Sequence, residues 1–290
     1  MTKIAARFAK LRAMSHSPLP FKIDAALEIL AAATQISLEM HGSAHAVTKA
    51  DQTLVTEADH AIEAFLRQKL SEIAPGWSFL GEEEGLSGNP DAPCWVIDPI
   101  DGTTNYAKDI PLWCISVGAV ADGMPIFGMI AVPEIGEVLW AAPGQGAWRI
   151  LRGEAHPLIL NDHLPLQQED LIASNTTVER VVDFSNVPCR LRNFGSLAYH
   201  LTALARGTLV ATIAHYHKLY DVAAGLCICI EAGAQVRYLN GDMWQAQVKT
   251  SAETQPMLCA PPQTLQSLID VLGPKSVSEA LNPAQEIHED

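Results

Sequence analysis

Two aspartates three residues apart, Asp98 and Asp101, close a greasy run in CWVIDPIDGTTNYAKDIPLWCISVGAV (94–120), and Gly102, Thr103 and Thr104 follow. Carboxylates at the exit of a buried strand must be desolvated, paired or liganded, and this turn holds no lysine or arginine to pair them. Pro99 fixes its own φ and drives Asp98 into extended backbone, so the turn is stiff and can aim two carboxylates at one point. Glu82, Glu83 and Glu84 follow Gly81 at the end of a second apparent strand; Asp59 sits in the first turn of a helix, and Asp221 opens another. Taken singly, each acid has a structural reading as a turn residue, a solvated face or a helix-terminus charge favoured by the dipole. Taken together they are hard oxygen donors at element ends with no histidine or cysteine interleaved, which suits magnesium better than zinc. Gly102 and Thr103 would offer backbone N–H groups to an anion. Metals beside an oxyanion cradle, with no evident nucleophile–base pair, point to metal-activated water attacking phosphorus.

The elements that must position these residues show in the periodicity. Residues 24–42 carry apolar side chains at helical spacing and stop on Gly42. Thr56 is expected to cap a second helix, with Asp59 three residues on as a short capping box. WSFLGEEEG reads as a short strand breaking into an acidic turn, and strands are expected at 94–98, 112–121, 126–132 and 137–142. Two helices followed by a meander suggest an α+β half. After about residue 150 helix and strand alternate, as in a layered α/β unit: helices in SLAYHLTALARG (196–207) and DVAAGLCICIEAGA (221–234), a strand in TLVATIAHY, an Asn–Gly turn in QVRYLNGDMW, and a closing helix in PQTLQSLIDVLG. The expected organisation is a loose N-terminal extension (1–19), an α+β domain over 20–150 carrying most of the acids, and an α/β domain over 151–290 carrying Asp221 and a loose tail.

Bulk composition narrows the function classes. The chain has 290 residues, 48% hydrophobic and 18% charged, with Lys+Arg 19 against Asp+Glu 33 and a net charge of −14. That suits a globular protein, and without a local basic stripe it excludes a nucleic-acid surface. No apolar run approaches the length of a membrane span. The six cysteines show neither disulfide-scaffold nor zinc spacing and are expected to be reduced core residues of a cytoplasmic protein. The first dozen residues carry four basic side chains and no acid, without a secretory core, and Met14 stands just before the recognisable domain.

GEEEG, WVIDPIDGTTNYAKDIPLWCISVGAV and YDVAAGLCICIEAGA, in that order, resemble the inositol monophosphatase family of lithium-sensitive, magnesium-dependent phosphatases, over roughly residues 20–260. The resemblance implies a layered αβαβα sandwich, commonly a homodimer, that hydrolyses small phosphate monoesters of metabolites. It also implies two to three Mg²⁺ ions. Glu82, Asp98 and the carbonyl of Ile100 would hold the first; Asp98, Asp101 and Asp221 the second; and Glu82 with waters a third. Thr103, oriented by Asp59, is similar to the pair that positions the attacking water, and Gly102 with Thr103 matches the phosphate cradle. Gly195 and Ser196 match the substrate-side loop, and Lys49 falls where the family often places a lysine.

The chain departs from the pattern at one point. Seven residues before Asp221, where family members usually have a glutamate for substrate hydroxyls, stands Ala214, followed by His215, His217 and Lys218. Lys218 and Tyr220 are similar to the histidinol-phosphatase branch, although that branch also tends to keep the glutamate. The substrate is therefore expected not to be myo-inositol phosphate, and Lys218 is expected to meet extra negative charge on it. Histidinol phosphate, fructose bisphosphate and adenosine bisphosphate are the alternatives, and a macromolecule-binding role is the non-enzymatic one. His215 and His217, alternating on the expected strand, would share one face.

Overall fold

The computed structural model describes residues 19–42, 46–48, 54–176 and 178–274. The expected loose extension (1–19) up to residue 18, the expected loose tail PAQEIHED (283–290) and Lys49 lie outside the described residues.

Helix α1 is Ile23–Met40, and strands β1 (Ala46–Thr48) and β2 (Leu54–Thr56) form an antiparallel ribbon leading into α2 (Glu57–Ile73). Strands β3 (Ser78–Gly81), β4 (Gly85–Ser87) and β5 (Cys94–Asp101) precede the short helix α3 (Thr103–Ala107). A meander follows: β6 (Cys114–Ala121), β7 (Met124–Val132), β8 (Glu137–Ala142), β9 (Gly146–Leu151) and β10 (Glu154–Leu158). The second half holds β11 (Leu171–Ser174), β12 (Val182–Asp183), β13 (Arg190–Arg192), α4 (Leu197–Ala205), β14 (Ala211–Ala214) and α5 (Leu219–Ala232). It ends with β15 (Gln235–Tyr238), β16 (Met257–Ala260), α6 (Pro262–Val271) and β17 (Gly273–Pro274).

Eight strands form one sheet in the order β10-β9-β8-β7-β6-β5-β3-β4, antiparallel except where β3 meets β5. Five form a second sheet, β13-β11-β14-β16-β15, whose first three strands are parallel.

Three cores between the layers give the αβαβα order. Alternate residues of β5 to β7 (Trp95, Ile97, Ile115, Val117, Phe127, Met129) point at Leu30 of α1 and Ile62, Leu66 and Leu70 of α2. Their neighbours Cys94, Val96, Ile130 and Val132 point the other way, into a core with α4 and α5. Ile172, Ile213 and Leu258 cover the far face of the second sheet with Leu265 and Leu268 of α6. Period-two alternation therefore serves two cores at once, and each fully buried Leu or Ile contributes about 1.5–3 kcal/mol. The small residues of DVAAG let α5 lie directly on the large sheet. A Cβ at Gly128 would stand 2.4 Å from the Ala224 carbonyl oxygen, and one at Gly118 2.9 Å from the Ala224 nitrogen.

Helices α1, α4, α5 and α6 follow the expected bounds within three residues, Thr56 and Asp59 form the expected capping box of α2, and the short α3 had no expectation. The six cysteines are free, five of them buried. Among the described residues no helix is long and apolar enough to cross a membrane.

Candidate active site

β5 does not stop at Asp98 as expected but runs on to Asp101. Pairing with β6 continues to Asp101, across an irregularity: Asp98 faces Ser116 and Asp101 faces Cys114. Three steps on β5 thus match two on β6, the mark of a bulge with one extra residue. In an unbroken strand residues three apart point to opposite faces. Here Asp98 and Asp101 oppose residues two apart on β6, so both carboxyls come to one side. Ser116 marks that side, since its Oγ donates to the Tyr220 carbonyl at 3.4 Å.

Asp98 is 2% exposed, and its Oδ1 has no hydrogen-bond partner. Burial pushes its carboxyl well above the ordinary value, and the charges of Glu82, Asp101, Asp221 and Asp59 push it further. Asp101 is anchored by the start of α4: its Oδ2 accepts from Ser196 Oγ at 2.8 Å and from the Ala198 backbone N–H. Burial raises its carboxyl to about 6, and those hydrogen bonds hold it back. Asp221, in the first turn of α5, accepts from the Lys218 backbone N–H at 2.7 Å. Burial and then Asp101 raise it well above its usual value. Glu82 enters from the β3–β4 turn, its own backbone N–H donating to the Ile97 carbonyl at 3.2 Å.

These four acids come from three separate stretches of chain, and the charges of Glu82, Asp101 and Asp221 all bear on Asp98. A cluster of carboxyls with a buried, unpartnered oxygen at its centre is the donor set a hard divalent cation takes. Among the described residues no three His, Cys, Asp or Glu side chains stand in metal-holding geometry. Closing on an ion would therefore require the carboxylates to turn about their side-chain bonds.

Gly102 caps α3 with φ 95°, and a Cβ there would come within 3.1 Å of Ser196 Cβ, so the Gly102 turn and the 195–196 loop are in contact. Thr103 Oγ1 donates to the Ile100 carbonyl at 3.1 Å. Asp59, fully buried, accepts from the Thr56 backbone N–H at 2.7 Å and its hydroxyl at 2.6 Å. Orientation of Thr103 by Asp59 would require the Thr103 hydroxyl to turn away from Ile100.

The model of the inositol monophosphatase family matches residues 21–275. The chain belongs to that family. It is 31% identical over 260 residues to inositol-1-monophosphatase ImpA of Mycolicibacterium smegmatis, covering 86% of this chain and 91% of that protein. It is 32% identical over 203 residues to histidinol-phosphatase of Mycobacterium tuberculosis, covering 67% of this chain and 77% of the relative. The solved inositol monophosphatase from Anabaena superposes with TM-score 0.69 at 26% identity, covering 86% and 95% of the two chains. The layered sandwich is thus the family fold, and the chain is a phosphatase of the phosphate-monoester class.

On the substrate side, the family's glutamate position is Ala214, 1% exposed at the end of β14. The strand stops there, so His215 and His217 do not alternate on it as expected. Tyr216 adopts φ 53°, which breaks the period, and His217 instead bridges to Glu253 through two backbone hydrogen bonds. Asn175 clamps the intervening backbone: its Oδ1 accepts from the His215 N–H at 3.1 Å, and its Nδ2 donates to the His215 carbonyl at 2.5 Å. Lys218 Nζ lies 3.2 Å from the Tyr220 hydroxyl, and its charge is felt by Asp221. Gly195 takes φ 78° against Asn105, where a Cβ would meet the amide at 2.9 Å.

Sequence reasoning missed the residues that hold these loops. Asn105 Nδ2 donates to the Leu112 carbonyl at 2.6 Å and the Phe194 carbonyl at 2.7 Å. His200, 1% exposed and lowered by burial to about 4, is neutral and accepts from the Phe194 N–H at 2.9 Å. Neither carries a spacing signal, because each acts on backbone groups, at Leu112 and Phe194, that no residue type marks.

Proposed function

We propose that this phosphatase is Mg²⁺-dependent and hydrolyses a small phosphorylated metabolite other than myo-inositol phosphate. The observation that carries the reading is Asp98 Oδ1, buried and unpartnered among Glu82, Asp101 and Asp221. Two to three Mg²⁺ ions would be held by Glu82, Asp98, the Ile100 carbonyl, Asp101 and Asp221. When bound, they supply Lewis acidity to the phosphate and to water. The chain's own groups do the positioning. Ser196 and Ala198 occupy Asp101 Oδ2 and so fix the direction of its other oxygen. Thr103 and Asp59 orient the water, and the N–H groups of Gly102 and Thr103 meet the phosphate. Gly195 and Ser196 form the opposite wall. Lithium sensitivity, a homodimeric assembly and a cytoplasmic setting belong to the same proposal.

Ala214 removes the carboxylate that would grip a polyol, and Lys218 adds positive charge beside Asp221. That favours a substrate with an anionic or hydrogen-bond-accepting group near the ester. Histidinol phosphate is the second reading, supported by Lys218 and Tyr220 ahead of Asp221 and by the 32% identical histidinol-phosphatase. Fructose bisphosphate and adenosine bisphosphate are further candidates of the same chemistry. The test is phosphate release from a panel of monoesters with MgCl₂ and with EDTA. Release that needs Mg²⁺ and is poorest for inositol phosphate supports the reading. Release indifferent to EDTA defeats the Mg²⁺ reading, and silence on every ester leaves a macromolecule-binding role.

A further inference from the structure

Glu82 is the one proposed ligand that belongs to a tight turn rather than to the end of a sheet-centre strand or a long helix. Three successive glutamates in that turn repel one another, so its shape needs support from outside the run. The hairpin pairs Gly81 with Gly85, leaving Glu82, Glu83 and Glu84 as the connection. What fills the inside of the turn is Glu63 of α2, whose side chain is fully buried. Its Oε2 accepts from the Glu83 N–H at 2.8 Å and its Oε1 from the Glu84 N–H at 3.1 Å.

Arg67, one helical turn later, completes the clamp. Its Nε donates to Glu63 Oε1 at 2.8 Å, and its Nη2 and Nη1 reach the Gly85 carbonyl at 2.7 Å and Ser87 Oγ at 3.0 Å. One guanidinium thus holds the carboxylate and the outgoing strand together, with its face over Phe79 at 5.5 Å. Gly81 makes room: a Cβ there would sit 1.9 Å from Glu63 Oε1. Glu63 is also four residues from Asp59, on the buried face of α2. The same rigid helix therefore places Asp59 beside Asp98 and sets the turn that carries Glu82.

We propose that Glu63, clamped by Arg67, is a positioning residue that sets the Glu82 turn for divalent-cation binding. The inference rests on the proposed metal site, and the experiment separates the two. Mg²⁺ binding is measured by titration calorimetry with MgCl₂ on the wild type, Glu63→Gln and Arg67→Lys, alongside thermal melts in EDTA. The Gln side chain keeps the shape but sets an NH₂ against a backbone N–H and loses the charge that Arg67 binds. Groups that orient metal ligands typically cost about 10–100-fold in affinity when changed. About a tenfold or greater rise in the Mg²⁺ dissociation constant is therefore expected for Glu63→Gln. Arg67→Lys, which keeps charge but loses the fork, should fall between, and kcat at saturating Mg²⁺ should stay within about threefold. A merely structural role would lower the EDTA melting temperature and leave the dissociation constant within twofold. That result in whichever variant folds overturns the inference while the metal site stands. A wild type that binds no Mg²⁺ overturns the metal site itself, and the inference with it.

Discussion

Replacing Asp98 by asparagine should separate the cost of the acid cluster from its use. Asp98 is 2% exposed, and its carboxyl is pushed well above its ordinary value by burial and by Glu82, Asp101 and Asp221. The scale comes from its neighbour Asp101, raised from 3.8 to about 6. A carboxyl raised on folding costs nothing below the unfolded pKa. Its cost grows as pH rises through the window from 3.8 to about 6 and is full above it, about 3 kcal/mol for Asp101. Asp98 carries a penalty of the same sign, and Asp98→Asn removes it. The unpaired amide returns about 1–3 kcal/mol of the gain. In EDTA at pH 8 the variant should therefore be as stable as the wild type, or more so by up to about 2 kcal/mol. Mg²⁺ at 100 times its dissociation constant should stabilise the wild type by about 2.7 kcal/mol, roughly 5–10 °C in melting temperature. The variant should show little of that shift, and its turnover should fall by more than about 100-fold. Calorimetric melts with and without MgCl₂, paired with phosphate release, measure all three quantities. An EDTA-treated variant clearly less stable than wild type, an undiminished Mg²⁺ shift, or activity within tenfold of wild type would refute the reasoning.

Other outcomes follow from single contacts. His200 and His217 are 1% and 2% exposed and lowered by burial to about 4, His217 despite nearby Glu253 and with Lys249 and His215 adding to the effect. A base lowered on folding costs nothing above its unfolded pKa of 6.5, so stability should fall as pH drops from 6.5 towards 4, by about 3 kcal/mol per histidine. Urea melts across that range should show the slope, and His217→Gln should flatten about half of the part due to this pair. Gly128→Ala would put a Cβ 2.4 Å from the Ala224 carbonyl oxygen, and a helix backbone cannot step aside as a flexible side chain can. Overpacking of about 2 kcal/mol, near 5 °C, is expected; an unchanged melt would mean α5 does not sit as described. Lys218→Met removes the cation beside Asp221 and the Tyr220 hydroxyl. It should raise KM about tenfold for the best anionic substrate with kcat within threefold, and an equal loss on every ester would assign Lys218 to the fold instead.

The residues themselves decided a good deal. Glycine-bounded helical periodicity gave α1 and α5, the Thr56–Asp59 pair gave the start of α2, and the meander showed as four closely spaced apolar runs. The acids at 82, 98, 101 and 221 stood out because hard oxygen donors at element ends signal chemistry whatever lies between them. The layered order was legible through the family motifs, and the large sheet supports it by burying both faces of β5 to β7 in different cores.

Only the tertiary structure decided which way those acids point. A bulge depends on the partner strand, so the extra residue that turns Asp101 to the side of Asp98 is invisible until β6 is paired with β5. The break after Ala214 likewise comes from the pairing of His217 with Glu253, 36 positions away, which overrides local alternation. Glu63 and Arg67, an i,i+4 pair on α2, drew no expectation from the sequence. They become the inner support of the acidic turn because hydrogen bonds to backbone carry no sequence signature of their target. Residue types announced the chemistry; pairing register and long-range backbone contacts set its geometry.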